Sequence, residues 1–238
     1  MEKEQYLGVS VSPYTYEQIL MDLKKRIAEG KQSTVIAVNP EKVITAGRDP
    51  VVKELINNST YQIADGIGMI LASKLKGGRV KERVTGVDMM GRLLQFAAEE
   101  GHSVFFYGAK EDVVRTAKEK LEAQIPGLKI AGYSNGYVKD QEALVSQIRE
   151  SGAALLFVAL GSPRQELWIK ENMDKLPNVK VFQGVGGSFD VYSGNVKRAP
   201  AFYRKFGLEW LYRLAKEPKR IKRQMALPKF LLKVFVQK

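Results

Sequence analysis

Residues 103–124, SVFFYG-AKEDVVRTAKEKLEAQ, hold one strand and one helix joined at a glycine. The run Ser103-Val104-Phe105-Phe106-Tyr107 is short, aromatic and β-branched. Gly108-Ala109-Lys110 interrupts it, and 111–124 then carries helical periodicity. Outward from this βα unit the same alternation recurs through most of the chain. Strands are predicted at 33–38, 61–64, 103–107, 128–131, 154–159 and 179–183. Helices are predicted at 15–29, 40–47, 50–57, 66–75, 87–100, 111–124, 141–150 and 164–173. Alternation of this kind specifies an α/β fold, a Rossmann-like, mainly parallel sheet flanked by helices.

The chain has 238 residues, 45% of them hydrophobic, which is enough to bury a sizeable core. It has no cysteine, so disulfides, thiolate metal sites and cysteine nucleophiles are excluded. The charged N-terminus lacks the apolar run of a signal peptide, and apolar runs such as 153–160 are too short to cross a bilayer. The expected location is therefore cytoplasmic.

The net charge of +12 is unevenly distributed. Residues 196–238 carry thirteen Lys or Arg against Glu209 and Glu217, a surplus of eleven. We therefore expect two parts: an α/β core at 1–195 and a basic, amphipathic helical appendage at 196–238. In the latter, Phe202, Phe206, Trp210 and Leu214 form a four-residue apolar stripe, and Arg213, Lys216, Arg220 and Arg223 would share another face of a continuous helix. A basic helix with exposed aromatics reads as an interfacial membrane segment; packing on the core with solvated charges outside is the plainer alternative.

In an open α/β sheet, ligands bind beyond the carboxyl ends of the strands. Five segments lie there: Asn39-Pro40-Glu41, Asp65-Gly66, Gly108-Ala109-Lys110, Gly161 to Glu166, and Gly184-Val185-Gly186-Gly187-Ser188-Phe189-Asp190. The last is not a dinucleotide fingerprint, because Phe189 stands where the third glycine belongs, and there is no P-loop. Asp65 reads either as a helix N-cap or as a functional carboxylate, and Asp88 as a first-turn charge. His102, the single histidine, reads as structural, and no nucleophile elbow accompanies any serine. Asp-x-Asp pairs and histidine-carboxylate clusters are absent, so neither a metal site nor a cofactor is expected.

Taken together, the motifs Val38-Asn39-Pro40-Glu41, Ala64-Asp65-Gly66, Arg83-Val84-Thr85-Gly86, Tyr107-Gly108-Ala109, 132–137, 159–166 with Trp168, 184–190, Lys197-Arg198-Ala199-Pro200 and 207–214 resemble the WecG/TagA/CpsF glycosyltransferases, family twenty-six. The resemblance covers nearly the whole chain. It implies inverting transfer from a UDP-sugar to a sugar on undecaprenyl diphosphate, at the inner face of the membrane. Residues 132–137 and 207–214 look most like the TagA branch, which implies UDP-N-acetylmannosamine as donor and N-acetylglucosamine-diphospho-undecaprenol as acceptor in wall teichoic acid linkage-unit synthesis. Sister enzymes use UDP-N-acetylmannosaminuronate or UDP-glucose.

The resemblance also assigns roles. Asp65 is the base; Arg83, Arg213, Arg220 and Arg223 contact phosphates; Tyr137 stacks on uracil and Asp190 accepts from it. Asn39 and Gln165 hold ribose or sugar hydroxyls, and Gly108 lies in the donor-binding turn. Ala37 stands where members often have threonine, removing one hydroxyl. The implied partners are the UDP-sugar, the lipid-diphosphate acceptor, an anionic membrane surface and a second copy of the chain, with no nucleic acid. Two readings from other classes are a nucleotide-binding oxidoreductase, suggested by βα alternation alone, and a nucleic-acid-binding protein using the basic tail.

Overall fold

A computed structural model describes residues 2–216, 221 and 225–236. The chain forms β1 (Glu4–Tyr6), β2 (Val9–Val11), α1 (Tyr16–Ala28), β3 (Ser33–Val38), α2 (Pro40–Ala46), α3 (Pro50–Asn57), β4 (Tyr61–Ala64), α4 (Ile67–Leu75) and α5 (Gly86–Glu99). There follow β5 (Ser103–Gly108), α6 (Glu111–Gln124), β6 (Lys129–Ser134), α7 (Gln141–Glu150), β7 (Leu155–Ala159), α8 (Arg164–Asn172), β8 (Val181–Gly184) and α9 (Ser188–Tyr192). The last described helices are α10 (Ala201–Lys205), α11 (Glu209–Lys216) and α12 (Ala226–Val236). The six longer strands form one sheet in the order β4-β3-β8-β7-β5-β6, and the pairings β3 with β8, β8 with β7, β7 with β5 and β5 with β6 are parallel. This is the expected Rossmann-like α/β architecture.

Packing divides the residues differently from the expected 1–195 and 196–238. One unit comprises 1–15, 37–85 and 198–238; the other comprises 16–36 and 86–197.

In the first unit, β1 and β2 make a hairpin that strand patterning did not reveal. Its two-residue turn is Leu7-Gly8, both at positive φ. The Asn57 amide ties down the turn and β2, donating to the Gly8 carbonyl and accepting from Ser10 N–H. Glu4 accepts from the hydroxyls of Tyr6 and Ser73 and from the N–H groups of Arg79 and Val80. Burial alone would raise the Glu4 pKa, but these four donors outweigh it and hold the carboxyl below the usual glutamate range.

The final helix α12 packs on α2 and α4 in the same unit, with Phe230 and Val234 fully buried and Phe230 edge-on to Tyr6 at 6.4 Å. Each such burial contributes roughly 1.5–3 kcal/mol. The stripe read as one helix through Phe202, Phe206, Trp210 and Leu214 is instead two helices. Gly207, at φ 70°, ends α10, because a left-handed residue terminates a helix. Phe202 and Phe206 are exposed.

In the second unit, Phe105, Tyr107, Leu156, Val158, Trp168 and Phe182 share one core cluster. β6 runs on to Ser134, beyond the expected end at 131. Gly132 pairs with Phe105, and a side chain there would meet the Phe105 ring at 2.6 Å, so a residue that reads as a strand breaker makes room for an aromatic neighbour. As expected, Asp88 sits in the first turn of α5, and His102 packs against Phe96 with ring centroids 6.0 Å apart.

Glu4→Gln is expected to lower stability by about 1 kcal/mol, since the donors are partly solvated. Because the folded pKa is depressed, this contribution is full above the ordinary glutamate range and is lost as pH falls through the depressed value. Urea unfolding from neutral to acid pH should therefore show the gap between wild type and variant closing. A Cβ on Gly68 would lie 2.4 Å from the Pro40 ring and 2.5 Å from Leu227. Gly68→Val should cost about 1–3 kcal/mol in the same assay.

Candidate functional site

In the first unit, Asp65 N–H donates to the carbonyl of Val38, the last residue of β3, at 2.8 Å. This bond sets Asp65 and Asn39, the residues just past two strand ends, side by side. Asp65 is half-buried. It does not occupy the N-cap of α4: that position is Gly66, at φ 91°, so the carboxylate stands one residue ahead of the cap. Asn39 is itself a cap. Its Oδ1 accepts from Lys42 N–H at 2.9 Å and starts α2, with Pro40 in the first helical position. The oxygen expected to hold a sugar or ribose hydroxyl is thus engaged by the protein.

Arg83 belongs to the segment between α4 and α5. Its Nη1 lies 3.5 Å from Glu209 Oε2, and its Nη2 donates to the Arg204 carbonyl at 3.1 Å. Arg213 lies on α11; Arg220 and Arg223 fall outside the described residues.

In the second unit, the parallel neighbours β5, β7 and β8 set the turns after them in a row. Gly108 has φ 120°, and a Cβ there would come within 2.4 Å of the Ala159 carbonyl oxygen, so only glycine lets the two backbones approach. Ala109 N–H donates to Ala159, and Gly136 N–H to the Ala109 carbonyl, which joins the 135–137 loop to this turn. Asn135 holds the loop in place: its Oδ1 accepts from Tyr137 N–H at 2.9 Å, and its Nδ2 donates to Glu111. Tyr137 is 72% exposed on this fixed backbone, an aromatic face open to a planar ligand.

Gln165 is 4% exposed. Its Oε1 accepts from Gly186 N–H at 3.0 Å, and its Nε2 donates to Glu166 at 3.1 Å. Expected as a ligand for hydroxyls, it holds the glycine loop after β8. Asp190 lies in α9, which Phe189 anchors by packing on Phe106 at 4.9 Å.

Sequence reasoning did not single out Glu209 as a functional residue. The available signal was its position as one of two acids among thirteen basic residues.

Among the described residues no His, Cys, Asp or Glu cluster could hold a metal ion, and no helix is long and apolar enough to cross a membrane.

Residues 4–238 match the model of the "Glycosyl transferase WecG/TagA/CpsF family". An N-acetylglucosaminyldiphosphoundecaprenol N-acetyl-beta-D-mannosaminyltransferase of Bacillus spizizenii is 40% identical over 206 residues, 87% of this chain and 80% of the relative. A protein of the same name from Bacillus subtilis is 40% identical over 213 residues, 89% and 83% of the two chains. These likenesses set aside the oxidoreductase and nucleic-acid readings: the chain belongs to the WecG/TagA/CpsF glycosyltransferase family.

Proposed function

We propose that this glycosyltransferase moves N-acetylmannosamine from UDP-N-acetylmannosamine to N-acetylglucosamine-diphospho-undecaprenol in wall teichoic acid linkage-unit synthesis. Support for donor sugar and acceptor comes from the two Bacillus relatives, whose names state that transfer for those proteins. The observation that carries the mechanism is Asp65, half-buried at the end of β4 and ahead of the helix cap. Its carboxylate takes the proton from the acceptor hydroxyl as that oxygen bonds to the anomeric carbon. The bond from that carbon to the UDP oxygen breaks from the opposite face, which inverts the centre. Arg83 and Arg213, with Arg220 and Arg223, neutralise the diphosphates of donor and acceptor through charge-assisted hydrogen bonds.

Tyr137 stacks on the uracil and Asp190 accepts from its edge. The Gly108 turn offers N–H donors, and Asn39 and Gln165 shape the donor's surroundings through the backbone that each one holds. The same fold with UDP-N-acetylmannosaminuronate or UDP-glucose is the second reading, favoured by the sister enzymes of the family.

The lipid acceptor requires the enzyme to work at a membrane, and we place it on the inner face as a peripheral protein that also self-associates. The outer face of α12 supports docking: Leu232, Phe235 and Val236 are exposed beside Lys229 and Lys233, with Met225 exposed just ahead of the helix. A groove of about 290 Å³ lined by Leu7, Val43, Ile44, Gly47, Arg48 and Lys233 adds two cations to an apolar floor. Each basic residue at an anionic surface contributes on the order of 1 kcal/mol.

Asp65→Asn should lower kcat roughly a hundredfold or more, with UDP affinity by calorimetry retained. Unchanged turnover with a short-chain lipid-diphosphate acceptor would remove Asp65 from the mechanism. Leu232→Ser/Phe235→Ser should cut co-sedimentation with phosphatidylglycerol vesicles roughly tenfold at an unchanged unfolding midpoint; equal binding by both proteins would dismiss α12 as the anchor.

A further inference from the structure

The segment that carries Arg83 is held at both ends by carboxylates. Near its start, Glu4 accepts the main-chain N–H groups of Arg79 and Val80. At its end the Arg83 guanidinium is fixed at two points, by Glu209 at 3.5 Å and by the Arg204 carbonyl at 3.1 Å. Glu209 is only 8% exposed, and the paired side chains are 10% and 18% exposed. A carboxylate so far from water requires compensation, and an arginine there is restricted in its rotamers.

The backbone ahead of Glu209 is also constrained. A Cβ on Gly207 would come within 3.0 Å of Ile67 Cβ, so residue 207 packs on the first residue of α4. Ile67 is two residues after Asp65. Glu209 therefore links Arg83 to the stretch of chain that carries the proposed base.

We infer that Glu209 is a positioning residue for sugar transfer, orienting the Arg83 guanidinium relative to Asp65 so that it meets the departing diphosphate. This rests on the reading of Arg83 as a diphosphate contact. Two-point fixation places a rigid planar donor before substrate arrives, and a misplacement of about 1 Å costs up to a hundredfold in rate. Its signature is a change in kcat rather than in donor KM, because the interaction is strongest with the charge that develops on the leaving group.

The test uses the full chain with UDP-N-acetylmannosamine and a short-chain lipid-diphosphate acceptor. Glu209→Gln keeps the shape and removes the charge; it should lower kcat roughly tenfold or more, with donor KM changed less than about twofold. Arg83→Ala should be slower still, and Arg83→Ala/Glu209→Gln no slower than Arg83→Ala alone, because Glu209 acts only through Arg83. Arg83→Lys, which keeps the charge and loses the two-point hold, should match Glu209→Gln, and it decides the matter by itself should Glu209→Gln fail to fold. Multiplying losses in the double variant, or wild-type kcat in Glu209→Gln or Arg83→Lys, would overturn the positioning role. Wild-type kcat in Arg83→Ala is a different failure, because it removes Arg83 from the chemistry and the inference with it.

Discussion

The hydrogen bond from Asp65 N–H to the Val38 carbonyl is the constraint on which the placement of Asp65 and Asn39 depends. It lies just past the ends of β3 and β4, where the backbone must stop behaving as a sheet and begin two helices. Asn39 meets that demand with its side chain, capping α2. Gly66 meets it with a backbone conformation open to glycine, leaving the neighbouring carboxylate outside the cap. The division of labour between Gly66 and Asp65 places the carboxylate ahead of the helix cap, at the end of β4.

The residues assigned by resemblance differ in what the fold asks of them. Tyr137 is presented: its backbone is fixed by Asn135 and its ring is exposed. Gln165 is inward, with its amide holding Gly186 and Glu166. An amide buried in this way fixes the loop that follows β8. Glu209 and Arg83 are likewise turned toward each other, the guanidinium lying 3.5 Å from the carboxylate.

Much of the sheet was legible because strand and helix periods alternate with little ambiguity: 33–38, 61–64, 111–124 and 141–150 were bounded correctly from pattern alone. Other features depend on contacts between residues far apart in sequence, which periodicity does not record. The hairpin around Leu7-Gly8 is too short to show a period and is held by Asn57, some fifty residues away. Gly132 looks like a breaker until the Phe105 ring is seen to need its space. The tail's charge was readable, whereas the burial of Phe230 and Val234 against α2 and α4 was not, since apolar residues facing a membrane and facing a core look alike in a sequence. In the site, Asp65 and Asn39 were found from strand ends alone, while the pairing of Arg83 with Glu209 needed the fold.

The interleaving of the two units has a consequence for how the chain matures. Every residue of the unit formed by 16–36 and 86–197 leaves the ribosome before residue 198, whereas the unit carrying Asp65 and Arg83 lacks α12 until Phe230 and Val234 have been translated. Nascent chains thus carry every residue of the second unit while the α2 and α4 surfaces that receive those two side chains still wait for them. The packing of the first unit is in this way completed only after every residue of the second has been made.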